Sequence, residues 1–84
     1  MQMRWDENKN ELLKETRGVS FEQVLESIEK GDFVGPEINP ARKGQMRLIV
    51  KIDDYPCVVP FVIEQDGNWF LKTIYPSRKM KGRI

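Results

Sequence analysis

The chain has 84 residues, of which 39% are hydrophobic and 32% are charged, and its formal net charge is +1. This composition is typical of one small globular domain, residues 1–84, rather than of a disordered or membrane-spanning chain. The single cysteine, Cys57, and the lack of histidine exclude an internal disulfide, His-dependent nucleophile systems and His-ligated zinc. We expect a cytoplasmic protein, because the first ten residues carry no apolar signal segment and a single cysteine fits a reducing compartment. We also expect no metal and no cofactor.

The charge is unevenly distributed along the chain. Residues 1–37 hold nine acidic and five basic residues, whereas residues 38–84 hold four acidic and nine basic ones. An acidic first half and a basic second half indicate that a polyanion site, if there is one, is built on the second half. A chance fluctuation in a short chain is the competing interpretation.

Two helices are predicted near the N-terminus, at 6–17 and at 20–30. Gly18 is expected to end the first helix, and Ser20 with Gln23 matches the spacing of a capping box at the start of the second. Apolar residues of the second helix recur with helical spacing: Phe21, Val24, Leu25 and Ile28. This helix therefore has one buried face, which we expect to pack on a sheet.

The rest of the chain predicts strands at 33–38, 45–53, 57–65 and 69–76, followed by a basic tail, 77–84. Pro60 cannot donate to a ladder, so we expect a bulge or a broken hydrogen bond beside it, and we expect Pro76 to end the last strand. Short connections favour an α+β fold in which two helices cover one face of a three- to four-stranded, mainly antiparallel sheet. The other face is expected to be open.

The last strand leaves two orientations undecided. One of its faces carries Trp69, Leu71, Thr73 and Tyr75, and the other carries Phe70, Lys72 and Ile74. A shift of one residue exchanges the two faces, and the sequence favours neither. Trp5 and Trp69 are interpreted as core residues in preference to ligand platforms.

From Trp69 to Ile84 the chain has five basic residues and no acidic one. These cations are either a frayed, solubilising tail or a phosphate-binding group at the rim of the open face. Cations beside aromatic rings on an exposed sheet are a common means of holding RNA.

Three motifs resemble the BrnT toxins of the RelE-like superfamily. They are Trp5-Asp6-Glu7-Asn8-Lys9, Gly18-Val19-Ser20-Phe21-Glu22 and Ile74-Tyr75-Pro76-Ser77-Arg78-Lys79, in the same order along the chain. The resemblance implies the toxin of a type II toxin–antitoxin system, with helices on one side of a sheet and RNA cleavage on the other. It also implies a cognate antitoxin with a ribbon-helix-helix DNA-binding domain, and it leaves the ribosome as a further candidate partner.

A ribonuclease without histidine or metal can use the substrate's own 2′-OH as the nucleophile, with cations stabilising the five-coordinate phosphate. Arg78, which matches the family motif, is the expected stabiliser of this charge, and Tyr75 is a stacking platform or proton donor. The general base is either Lys72 or Glu64. Further catalytic candidates are Lys79 and Arg47, and further RNA contacts are expected from Lys81, Arg83 and Lys51.

Two other functions fit the same residues. The chain could be a binding module that holds RNA or a protein without catalysis, or an inactivated toxin-like subunit of an antitoxin complex. Induced expression separates them, because a toxin arrests growth unless its antitoxin is supplied and a binding module is tolerated.

Overall fold

A computed structural model describes residues 2–84 of the chain. The elements follow in the order β1 (Met3–Arg4), α1 (Glu7–Arg17), α2 (Phe21–Glu29), β2 (Phe33–Ile38), β3 (Met46–Ile52), β4 (Tyr55–Ile63), β5 (Trp69–Leu71), β6 (Tyr75–Pro76) and a 3-10 turn at Arg78–Met80. The predicted α+β fold is confirmed: two helices are combined with a mainly antiparallel sheet, which has six strands, more than expected.

No helix within residues 2–84 has both the length and the apolar character that crossing a membrane requires.

The helices begin and end where their capping residues predict. Asp6 caps α1 by accepting a hydrogen bond from the Asn8 backbone, and Gly18 ends it with a left-handed φ of 68°. Ser20 and Gln23 form the predicted capping box at the start of α2, each side chain bonding the other residue's backbone N–H. Both helices are therefore fixed at their first turns by side chains that the sequence specifies.

The sheet has the strand order β1-β5-β4-β3-β2, and β6 also pairs with β4. β2, β3, β4 and β5 form an antiparallel meander, while β1 runs parallel to β5 through Met3 and Arg4. A two-residue strand has no periodicity that a sequence pattern can detect, which explains why β1 was not predicted.

The helices pack on the face of the sheet that carries Leu48, Val50, Val59, Phe61 and Leu71. The orientation left open by the sequence is thereby decided for Trp69 and Leu71, but the predicted alternation fails at Ile74, which lies in the same core. Trp69 stacks on Phe61 with ring centroids 4.2 Å apart, and Leu71 is buried in the same core. Phe70 pairs with Val62 on the opposite side, which we call the far face. Trp5 and Trp69 both pack against the core, as predicted.

The last strand is divided in two, at the position where Pro60 predicted an irregularity. Phe61 pairs with Leu71 and Val58 pairs with Tyr75, so three residues, 72–74, lie opposite two. The Pro60 carbonyl accepts a hydrogen bond from Lys72 N at 2.8 Å, but proline has no N–H to return one. The last strand ends at Pro76 as predicted, although Pro76 itself is still paired with Cys57.

The far face is not open along its whole width. Ile49 and Val58 lie on it and are at most 1% exposed. The C-terminal segment, residues 77–84, runs over this region: its 3-10 turn contacts β4, and Arg83 bonds Glu37 on β2. Removing these two apolar side chains from water stabilises the position of the C-terminal segment on the sheet.

Candidate functional site

A cleft of about 350 Å³ lies where the division of the last strand meets α1 and the loop between β2 and β3. Lys72, Thr73 and Tyr75 come from the divided strand, and Pro60 comes from β4 beside it. The remaining lining residues are Lys9 of α1 and Asn39, Ala41, Arg42 and Gln45 of the loop. The cleft thus collects side chains from four separate parts of the chain.

The cleft is strongly basic. Three cations line it, Lys9, Arg42 and Lys72, and its lining includes no carboxylate. Within residues 2–84 none of the three forms an ion pair, although five other cations of the chain do. Lys72 contacts the Phe70 ring, with its ammonium nitrogen 5.5 Å from the ring centroid. Unneutralised positive charge in a concave site attracts anions and concentrates them there.

Thr73 adds an unsatisfied hydroxyl to this cleft. Its Oγ1 is the one side-chain nitrogen or oxygen in residues 2–84 that is buried without a hydrogen-bond partner. The irregular segment that carries Thr73 is held from both sides, because Lys72 N bonds Pro60 and the Arg17 guanidinium donates to the Ile74 carbonyl at 2.7 Å. The position of the hydroxyl is therefore fixed by α1 and β4.

Arg47, predicted to be catalytic, and Arg83, predicted to contact RNA, are both bound to one carboxylate. Glu37 accepts hydrogen bonds from Arg47 Nε at 2.7 Å and from Arg83 at 2.6 Å and 3.0 Å. Arg47 is also mostly buried, with 12% of its side chain exposed. We call these three residues the Glu37 triad. They lie outside the cleft lining, and the carboxylate of Glu37 offsets one of the two positive charges.

The triad changes the acidity of its carboxyl group. The hydrogen bonds from Arg83 and Arg47 lower the pKa of Glu37 from 4.5 to about 2. The same carboxylate raises the pKa of Arg83 above its ordinary value. Glu37 thus stays ionised well below the pH at which a carboxyl group is ordinarily protonated.

The remaining predicted residues are spread over other parts of the surface. Arg78 and Lys79 are exposed on the 3-10 turn, and the Lys81 ammonium lies 5.5 Å from the centroid of the Tyr55 ring. Glu64 accepts a hydrogen bond from Arg4 at 3.1 Å and does not line the cleft. Lys51 lies at the other end of β3, near the turn at Asp53 and Asp54.

Of the nine residues predicted for the site, the cleft brings together Lys72 and Tyr75. Sequence reasoning missed Lys9, Arg42 and Thr73. The sequence held a signal for two of them: Lys9 belongs to the first of the three motifs, and Arg42 lies in the basic half of the chain. Thr73 carried none, because its burial depends on the division of the last strand at Pro60.

The cleft offers cations, two hydroxyl groups and an aromatic ring, a set that suits binding of a phosphate ester. Within the described residues, no group of three or more histidine, cysteine, aspartate or glutamate side chains is placed to hold a metal ion. No protein-family model, curated protein or solved structure was found to match the chain.

Proposed function

We propose that the protein is an endoribonuclease that cuts RNA by attack of the 2′-OH, and that it is the toxin of a type II toxin–antitoxin system. The observation that supports this most is the cleft, where Lys9, Arg42 and Lys72 converge with Tyr75 and no carboxylate is present. The resemblance of three motifs to BrnT toxins points to the same chemistry and supplies the biological setting.

The cleft residues can be given roles in the reaction. The substrate's 2′-oxygen bonds to the adjacent phosphorus, the bond from phosphorus to the 5′-oxygen breaks, and negative charge accumulates on the phosphate oxygens. Lys9 and Arg42 would stabilise that charge, the kind of electrostatic help that usually contributes most to catalysis. Lys72 would accept the proton of the 2′-OH as general base and, once protonated, would add a third positive charge. Tyr75 would donate a proton to the departing 5′-oxygen, a contribution worth roughly 10²–10⁴-fold.

Of the two candidates for the general base, the cleft favours Lys72. Glu64 is bonded to Arg4 and lies outside the lining, whereas Lys72 stands beside Thr73 within it. Arg78 and Lys79, exposed on the turn that follows Tyr75 and Pro76, would hold phosphates of the RNA strand beyond the cleft. The predicted contribution of Arg78 to catalysis is thereby assigned to binding.

The proposal is tested with purified protein and RNA in the presence of EDTA. The wild type should produce fragments ending in 2′,3′-cyclic phosphate. Lys72→Ala and Tyr75→Phe should lower kcat, while Arg78→Ala should mainly raise KM. Lys30→Ala, which removes an exposed cation paired with Glu26, is the matched control and should leave both constants unchanged.

Cutting by the wild type that requires added Mg²⁺, or equal rates for Lys72→Ala and the wild type, would contradict the mechanism. Induced expression tests the biological role, since a toxin arrests growth and co-expression of a neighbouring ribbon-helix-helix protein relieves the arrest. Tight binding to that protein without any arrest would favour the inactivated subunit instead.

A further inference from the structure

We propose that the cleft contains a phosphate pocket formed by the Thr73 hydroxyl with Lys9 and Lys72, and that it holds one phosphate of a bound ribonucleotide. This inference rests on the proposed ribonuclease function for the identity of its ligand. It adds a specific binding group, Thr73, which neither composition nor motif identifies.

The Thr73 hydroxyl has a cost that a ligand would remove. Buried polar groups are nearly always hydrogen-bonded, and an unsatisfied one costs the protein stability. In residues 2–84 this cost is borne at one side-chain atom, and that atom belongs to a residue lining the most basic cleft. A hydroxyl can donate to a phosphate oxygen, and Thr73 is among the residues that line the cleft.

Lys9 supports the same location for the phosphate. Its side chain is partly buried, although no carboxylate in the described chain pairs with it. Lysine is seldom buried without a partner, because its ammonium group is strongly hydrated. Lys9 comes from α1 and Lys72 from the divided strand, so the two ammonium groups reach the cleft from different elements. A phosphate between them could form an ion pair with each.

The size and the walls of the cleft favour a nucleotide over a simple inorganic ion. The cleft encloses about 350 Å³, within the range of pockets for small organic ligands. Tyr75 and Pro60 supply apolar surface beside the cations, and an aromatic ring is the usual platform for an unstacked base. Gln45 adds an amide that can bond a base edge. The phosphate pocket and the base platform therefore lie side by side.

The test uses an RNA trinucleotide with 2′-O-methyl groups, which binds but cannot be cut. When the trinucleotide is added, the NMR chemical shifts of the backbone amides of Lys9, Thr73 and Tyr75 should change. Thr73→Val keeps the shape of the side chain but removes the hydroxyl, and it should weaken binding roughly tenfold or more, the loss expected for a hydrogen bond to a charged group. Thr73→Ser, the matched control, retains the hydroxyl and should bind within about threefold of the wild type, since only a methyl group is lost.

A merely structural role for Thr73 predicts that Thr73→Val lowers the melting temperature and leaves the affinity unchanged. The phosphate pocket predicts the reverse. Because the hydroxyl is unsatisfied in the free protein, Thr73→Val should raise the melting temperature while it lowers affinity. Inorganic phosphate should shift the same amides at higher concentration, and a nucleoside without phosphate should not.

Wild-type affinity of Thr73→Val, or shifts that map outside the cleft, would overturn the phosphate pocket even if the wild type cuts RNA in EDTA. Conversely, trinucleotide binding in the cleft that depends on Thr73 supports the pocket even if no RNA is cut, in which case the ribonuclease proposal alone fails.

Discussion

Arg83 and Glu37, 46 residues apart in the sequence, are joined by two hydrogen bonds of 2.6 Å and 3.0 Å. The same carboxylate binds Arg47 of β3, so one acidic side chain ties the C-terminal segment to two strands. Ile49 and Val58 are buried on the face that this segment crosses. The triad therefore helps to hold the C-terminal segment over this part of the far face.

Replacing Arg83 should loosen the C-terminal segment without unfolding the domain. In Arg83→Ala the segment keeps its own turns, the Ser77 backbone bond to Pro56 and the contact of Lys81 with the Tyr55 ring, but it loses its ion pair with β2. Trypsin should then cut after Arg78, Lys79 and Lys81 faster than in the wild type, and the amides of Ile49 and Val58 should exchange hydrogen faster.

Lys79→Ala is the matched control for this experiment, because Lys79 is exposed and the described chain gives it no ion-pair partner. It removes one cation, as Arg83→Ala does, but leaves the Glu37 triad intact. Equal hydrogen exchange of Ile49 and Val58 in all three proteins would show that Arg83 does not hold the segment in place.

The stability of the protein should depend on pH through Glu37. Its pKa is about 2 in the folded protein, compared with an ordinary value of 4.5. A carboxyl whose pKa is lowered by folding stabilises the folded state above its ordinary pKa, and this contribution is lost as the pH falls through the folded value. The wild type should therefore exceed Glu37→Gln in stability by a constant amount above about pH 4.5, and by less and less between that pH and about 2.

Chemical denaturation of both proteins from pH 7 to pH 2 measures this difference directly. The other carboxylates are present in both proteins and, where they act independently of Glu37, change the two free energies of unfolding equally. Their effect therefore cancels in the difference between the wild type and Glu37→Gln. A difference that is unchanged between pH 4.5 and 2 would mean that the triad does not form in solution.

Asn10 should be one of the most sensitive polar positions of the helical layer. It is fully buried, its Oδ1 accepts from Phe21 N at 2.9 Å, and its amide donates to Glu22 at 2.9 Å. This bonding also lowers the pKa of Glu22. Asn10→Ala leaves the Phe21 N–H buried without a partner, so we expect a loss of about 2 kcal/mol in the free energy of unfolding.

Asn8→Ala is the control for Asn10, since Asn8 lies on the same helix with an exposed side chain. Its effect should stay within about 0.5 kcal/mol, as is usual for surface substitutions. Urea denaturation with unchanged m-values for both variants would measure the two losses on the same scale. A similar loss at both positions would mean that the bond to Phe21 is not responsible, because alanine has a higher helix propensity than asparagine and should by itself stabilise the helix.

Local signals in the sequence predicted most of the fold. The helix boundaries follow from Asp6, Gly18 and the pair Ser20 and Gln23, whose effects act within one turn. Alternation predicted β3, and the proline in β4 predicted the irregularity beside it. What alternation could not supply was the side of the sheet on which Trp69 and Lys72 lie, because a shift of one residue reverses both.

The site was less predictable, because its residues are brought together by contacts between distant parts of the chain. The basic residues near the C-terminus suggested a common role for Arg78, Arg83 and Lys72. In the structure Glu37 binds Arg83, and that bond depends on how residues 77–84 cross the sheet, which no local pattern encodes. The cleft depends equally on the approach of Lys9 to Thr73 across 64 positions of sequence.

The turn between β3 and β4 should be a site where the protein can be stabilised. Asp53 and Asp54 connect the paired residues Ile52 and Tyr55, with φ angles of 49° and 67°. Left-handed backbone costs an ordinary residue roughly 1 kcal/mol, and a two-residue hairpin of this kind prefers Asn-Gly. The double variant Asp53→Asn, Asp54→Gly should therefore raise the free energy of unfolding by about 1 kcal/mol.

The double variant Asp53→Asn, Asp54→Ala separates the backbone effect from the repulsion between two neighbouring carboxylates. It removes the same two charges but keeps a Cβ at a φ of 67°, so its gain in stability should be much smaller. Both variants can be compared by urea denaturation at high and low salt, because salt weakens charge repulsion and leaves backbone strain unchanged. Equal gains in the two variants that disappear at high salt would assign the effect to charge instead of to the backbone of the turn.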